Sequence, residues 1–303
     1  MASYWTWYIF ILVALDWLVV VVGVVGNILT IVALVKYKAI KNKSINLLFV
    51  NLTVADLGVL LVHHSFQCIQ LYNKGRWIFD DLACKIIPPV SRAFLTVSIL
   101  ILSAISYQRY RSIIYLFKPA PSKRGTIILT VIIWVTVIFT YGSLDVNFRR
   151  YDPQSRRCKI KDSAMTFFLY TIVEKALYVF CFAYITYMFL KIRPVLARSI
   201  DVQKNSFFNK AVSQSAQTLK LLRPTLIILF MSLVLSWVLL TTVFLNVKSF
   251  HPSQRLLMYH IVGILIVLNS AVNPFIYVVK SRSFAQSFAK IFHLGQKKFK
   301  RTI

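Results

Sequence analysis

Apolar residues in this chain come in long runs broken by short polar stretches. Seven runs can be bounded, at 7–35, 46–71, 84–114, 125–146, 165–190, 221–246 and 255–279. A helix needs about 20 apolar residues to cross the hydrocarbon of a bilayer, and each run is long enough. No water is available there to satisfy backbone groups, so each run predicts a transmembrane helix bonded within itself. The pattern therefore predicts an all-α membrane protein, a seven-transmembrane-helix bundle over 7–280. A short N-terminal segment at 1–6 precedes it, and an amphipathic stretch and tail occupy 281–303.

An odd number of spans puts the two ends of the chain on opposite faces. Of 36 Lys and Arg residues, 23 fall in the segments around 36–43, 109–124, 191–223 and from 280 onward. Basic residues accumulate on the cytoplasmic side, so the expected orientation is N-terminus extracellular and C-terminus inside, in the plasma membrane. Of the acids, only Asp201 falls in an inner loop. The chain is 58% hydrophobic with a net charge of +27. That charge is accounted for by loop lysines and arginines facing a lipid bilayer, and no nucleic-acid partner is expected. The first run, at about 29 residues, is longer than a signal-peptide core, so no cleavable leader is expected. The triplets Asn42-Lys43-Ser44 and Asn51-Leu52-Thr53 fit a glycosylation sequon, but one would be cytoplasmic and the other inside a span.

Polar residues inside the runs are costly and point to function. Span one carries Gly26-Asn27, span two Asp56, and span seven Asn269, Ser270, Asn273 and Pro274. Cys84 opens span three and Arg109 lies 25 residues later, about 37 Å along a helix, so they sit at opposite mouths of the bundle.

Asn273-Pro274-x-x-Tyr277 resembles the end of the seventh helix of rhodopsin-like (class A) G-protein-coupled receptors. Phe284 matches the first aromatic of that family's eighth helix, and Asn27 and Asp56 match its first and second helices. The stretch Gln108-Arg109-Tyr110 resembles its acid-Arg-Tyr signature, with Gln108 where an acid is usual. Trp134 and Trp237 match its tryptophans in spans four and six, and the likeness covers roughly residues 20 to 292, most like a neuropeptide-type receptor. Departures are Ala176 for the proline of span five, and Ser236 and Leu239 flanking Trp237 where the family has cysteine and proline. Pro224 lies lower on the same span.

The resemblance implies a Cys84–Cys158 disulfide pinning the loop Asp145–Asp162 to helix three. It implies an inner switch of Gln108, Arg109, Tyr110, Tyr184, Trp237, Asn273, Pro274 and Tyr277 that opens to a heterotrimeric G-protein. It also implies a mid-membrane network of Asn27, Asp56, Ser98, Asn269 and Asn273, with an allosteric sodium ion at Asp56 and Ser98 as the one cofactor expected. A purely structural hydrogen-bond network is the other reading of those residues. Gln108 cannot form the usual ion pair with Arg109, and Leu219 stands where some members place a glutamate, so raised basal signalling is expected.

The outer pocket candidates are Gln67, Ser91, Arg92, Glu174, Phe244 and Tyr259, with His63, His64 and His260 nearby. Ser91 stands where amine receptors of the family carry aspartate, and Val267 where opsins carry lysine, so neither a monoamine nor retinal is expected. Arg92 is expected to pair either with a ligand carboxylate or with Glu174. The basic loop (Arg149, Arg150, Arg156, Arg157, Lys159, Lys161) would steer an anionic ligand, and an acidic peptide fits best. There is no Walker loop, zinc-ligand spacing or nucleophile elbow, so no enzyme is expected. The rivals are a small ion transporter or channel using Asp56, and a rhodopsin-like protein that has lost G-protein coupling.

Overall fold

The computed structural model describes residues 2–40, 42–73, 75–115, 121–160, 164–201 and 252–292, with Ile227 and Val234. The expected sixth span, with Pro224, Ser236, Trp237, Leu239 and Phe244, lies outside the described residues but for those two, as do Leu219 and the tail 293–303.

Helix α1 runs Ala2–Val35 and α2 Lys43–Gly58. A π-helical turn, Val59–His64, joins α2 to α3, Ser65–Tyr72. Then come α4, Asp81–Ile114, and α5, Lys123–Thr140, which ends in a second π turn at Tyr141–Asp145. Strands β1, Arg149–Asp152, and β2, Arg157–Ile160, form a hairpin before α6, Ala164–Asp201. The last elements are α7, Pro252–Lys280, and α8, Arg282–Ile291. Among the described residues, five helices are long and apolar enough to cross a membrane, and α7 holds a shorter apolar stretch, Ile266–Val279. Helix α1 begins at Ala2, so residues 2–6, expected as a separate tail, are helical; they contain no Gly or Pro to stop the helix.

Helix α4 is the central post: it packs against α2, α5 and α6, while α1 packs on α2 and α7. Leu48, Leu52, Ile101, Ile105 and Ile185 meet in the core between them. Pro88 and Pro89 both lie inside α4, near its hairpin end. Each removes one backbone donor and crowds the preceding turn, yet the helix continues through them. The outward faces are apolar: Phe139 of α5 and Phe180 of α6 are 73% and 68% exposed. Such a surface is stable only where lipid covers it.

Side-chain caps set the helix starts. Asn42 accepts bonds from the amides of Ser44 and Ile45, Asp80 from Ala83, and Ser122 from Gly125. Asn42 is thus a helix cap, and Asn51 lies within the bundle, its Oδ1 accepting from Trp134 Nε1 at 3.1 Å. At the other end of the bundle, Cys84 and Cys158 form a disulfide that bolts the hairpin to α4. The Asp81 carboxylate accepts the Tyr151 amide at 2.7 Å, and the Trp77 amide bonds Arg156 O at 2.8 Å. Within the hairpin turn, Asp152 is ion-paired to Lys159 and accepts from Ser155 and the Gln154 amide. Those bonds hold its carboxyl below the usual carboxylate range.

Helix α8 is amphipathic. It buries Phe284, ties back through Ser283 Oγ to Ala39 O at 2.7 Å, and packs Phe288 and Ile291 against the core.

Gly58 closes the contact between α2 and α4. A Cβ placed there would lie 2.2 Å from the Phe94 ring, which is itself edge-packed on Trp134. Gly58→Ala is therefore expected to cost about 1–3 kcal/mol, read as a lower thermal midpoint of the purified protein in detergent. Adding Phe94→Leu should recover most of that loss; an unchanged midpoint for the single variant would rule out the contact.

Candidate functional site

The polar residues form three groups along α4. In the middle is Asp56, fully buried on α2. Ser98 Oγ of α4 and Ser270 Oγ of α7 donate to its Oδ1 at 3.0 and 2.8 Å, and Asn273 Nδ2 donates to its Oδ2 at 2.8 Å. Asn27 of α1 joins through the backbone, donating to Ser270 O at 3.2 Å and Gly23 O at 2.9 Å. Two helices, α4 and α7, thus donate directly to a carboxylate carried by a third, and α1 braces one of the donors. No Lys, Arg or His pairs with Asp56 among the described residues. Ser270, which sequence reasoning left out of this group, reaches Asp56. No hydrogen bond joins Asn269, its neighbour, to Asp56, and among the described residues the Asn269 Oδ1 is buried without a hydrogen-bond partner, as is that of Asn27. The donors around the carboxylate are mainly oxygens, which suits a small hard cation.

At the end of α4 away from the hairpin, Arg109 is buried, and its Nε finds no hydrogen-bond partner among the described residues. Gln108 is turned away from it: its amide donates to Thr126 Oγ1 of α5 at 3.1 Å. Tyr110 packs edge-on to Tyr115. Tyr277 is held between Phe49 of α2 and Phe284 of α8, with ring centroids at 5.4 and 5.2 Å. Tyr184 stacks on Phe180 of its own helix. Asn273 serves Asp56, one turn before Tyr277. The residues expected to act as an inner switch are therefore apart in this conformation: Asn273 is in the Asp56 network, Tyr277 is between Phe49 and Phe284, and Gln108, Tyr110 and Tyr184 each have other partners. Pro274 packs against Gly26 of α1, and Trp237 lies outside the described residues.

At the hairpin end, Arg92 grips Glu174 of α6 through both Nε, at 3.2 Å, and Nη2. Glu174 Oε1 also accepts from Tyr141 at 2.8 Å and Tyr178 at 3.1 Å, and Thr96 bridges those two hydroxyls at 2.6 and 2.9 Å. Of the two partners open to Arg92, the fold supplies Glu174. Sequence reasoning missed Thr96, Tyr141 and Tyr178, because hydroxyls inside apolar runs are common and only their convergence marks them. Ser91 Oγ lies 2.5 Å from His63 Nδ1. Gln67 is pressed against Gly263 of α7, where a Cβ would fall 1.9 Å from its Oε1. Phe244 and the side chain of Tyr259 lie outside the described residues. Arg150, Arg156, Arg157 and Lys159 stand exposed on the hairpin above this cluster.

Residues 26–277 match the family model described as 7 transmembrane receptor (rhodopsin family). Among relatives, neuropeptide receptor 22 of Caenorhabditis elegans is 23% identical over 290 residues, 88% of this chain. That match covers 65% of the nematode protein, so the chain spans just under two thirds of its length. Galanin receptor 2a of Danio rerio is 23% identical over 91% of this chain and 76% of its own. Neuromedin-U receptor 2 of Rattus norvegicus is 23% identical over 90% and 73%. A seven-span hydropathy pattern, a bundle built on one central helix and a family match across 26–277 lead to one conclusion: this chain belongs to the rhodopsin family of seven-transmembrane receptors.

Proposed function

We propose that this chain is a plasma-membrane receptor that takes an extracellular peptide at the hairpin end of the bundle and passes the signal to a heterotrimeric G-protein at the Arg109 end. The observation that carries this reading is α4. It is one helix, covalently tied to the β1–β2 hairpin through Cys84 at one end and bearing the buried Arg109 at the other. The names of the relatives support a peptide as ligand. Arg92 is neutralised by Glu174, so the anionic groups of a ligand are read by the exposed hairpin cations. Exposed cations of this kind steer an oppositely charged partner, with an association rate that falls as salt rises.

Coupling at the other end starts from a weakly restrained state. Gln108 has no charge to hold Arg109 and is engaged with Thr126 instead. A population shift of tenfold needs only about 1.4 kcal/mol, within the reach of one partly buried ion pair. Asp56, Ser98 and Ser270 would hold a sodium ion, which supplies the countercharge this buried carboxylate lacks. Their shared bonds already draw α2, α4 and α7 together; occupancy would favour this arrangement.

Two outcomes are expected. In cells at matched surface expression, ligand-free G-protein activation is measurable, falls roughly three- to tenfold in Gln108→Glu, and disappears in Arg109→Ala. A signal indifferent to Arg109→Ala would remove the coupling role; one indifferent to Gln108→Glu would remove the loose restraint. In membranes, replacing choline by sodium at constant ionic strength lowers basal activation of the wild type and leaves Asp56→Asn unchanged. An equal sodium response in both would exclude Asp56 as the ion's ligand.

A further inference from the structure

We propose that Asp16, His64 and Cys68 form a binding site for a divalent transition-metal ion, zinc by their donor chemistry, inside the hairpin end of the bundle.

Asp16 lies on α1, His64 closes the π turn after α2, and Cys68 follows on α3. All three are buried, with 1%, 0% and 1% exposure, and their ligating atoms lie within 4.8 Å of one another. Asp16 Oδ1 is 3.5 Å from His64 Nε2. Zinc takes thiolate, imidazole and carboxylate at about 2.0–2.3 Å, so a tetrahedral site needs ligand atoms about 3.3–3.7 Å apart. The cluster is at or within about 1 Å of that spacing before any side-chain adjustment.

Three further observations point to an ion rather than a hydrogen-bond cluster. Neither ring nitrogen of His64 has a hydrogen-bond partner among the described residues, although the side chain is fully buried. A buried polar group left in that state is costly, and coordination would satisfy it. His260 of α7 approaches the other Asp16 oxygen, with Nε2 to Oδ2 at 2.5 Å. A carboxylate that ligates a metal is itself held from outside, and His260 stands close enough to Asp16 to do so. The charges also match: one carboxylate and one thiolate cancel a divalent cation, leaving a neutral group in the low-dielectric interior.

Cys68 is four residues past His64, so the two face one way along the helix. The π turn sets that face, adding a residue to the turn just before it. The site is separate from the Asp56 network. Along α1, Asp16 is 11 residues from Asn27, about 16 Å nearer the hairpin end. Binding expels the Cys68 thiol proton to solvent and takes His64 in its neutral form. The ion would link α1 to α3, and through His260 to α7.

The test uses the full chain, purified in detergent, with zinc and with cobalt(II) as a spectroscopic stand-in. One equivalent of cobalt is expected to give a thiolate-to-metal charge-transfer band that zinc abolishes. The band should vanish in Cys68→Ser and persist in Cys181→Ser, the control at the other free cysteine. Zinc should raise the thermal midpoint of the wild type by a few degrees. His64→Gln should abolish that rise, and His260→Ala should weaken zinc binding roughly tenfold or more. Each variant is first checked by gel filtration and by its metal-free thermal midpoint. If Cys68→Ser does not fold, His64→Gln carries the decision. No charge-transfer band, or zinc binding that survives loss of both Cys68 and His64, overturns the site.

Discussion

A carboxylate in the middle of a hydrocarbon slab is the constraint on which the structure turns. Water cannot reach Asp56 from the lipid, and no cation in the described bundle neutralises it. Its oxygens must be met by donors brought from elsewhere in the chain, and no single helix can do so. Ser98 comes from α4, Ser270 and Asn273 from α7, and Asn27 of α1 fixes the Ser270 backbone. Burying one charge thus fixes the mutual placement of α1, α2, α4 and α7 at mid-membrane. Apolar contact alone would do this poorly, since lipid tails compete equally for an apolar helix face.

The two ends of the bundle are stabilised in different ways. The hairpin end is pinned covalently by Cys84–Cys158 and electrostatically by Arg92–Glu174. Among the described residues, the Arg109 end is held by softer contacts: an amide on a threonine, and a tyrosine ring between two phenylalanines. Conformational change concentrates where restraints are weakest, and of the described contacts the weaker ones are at the Arg109 end.

Hydropathy made the spans readable, because the bilayer requires length and apolarity of each of them. Cys84, Arg109 and the Asn-Pro-x-x-Tyr stretch were readable as motifs at fixed spacing. The hydrogen-bond partner of Asp56 on α7 was readable only in part. Asn269, Ser270 and Asn273 are all polar, and which of the adjacent pair Asn269 and Ser270 faces inward depends on a helical phase that composition does not carry. The same limit hid Asp16. It was as anomalous in its apolar run as Asp56, but its partners His64 and His260 are far away in sequence. The π turn at Val59–His64 shifts the helical face in a way no 3.6-residue periodicity predicts. Gln108 pointing to Thr126 likewise required tertiary packing, since nothing local distinguishes that rotamer.

The fit of Phe94 over Gly58 also bears on how such a chain changes through descent. The ring occupies the volume that any side chain at 58 would need, and it is itself edge-packed on Trp134. The two sites therefore share one fixed volume. A bulkier residue at 58 calls for a smaller one at 94, so the two positions are expected to vary together. Residue 58 is on α2 and residue 94 on α4, apart in sequence from the hairpin cations and from Arg109. Ligand preference and coupling can therefore diverge among descendants while this small volume stays fixed.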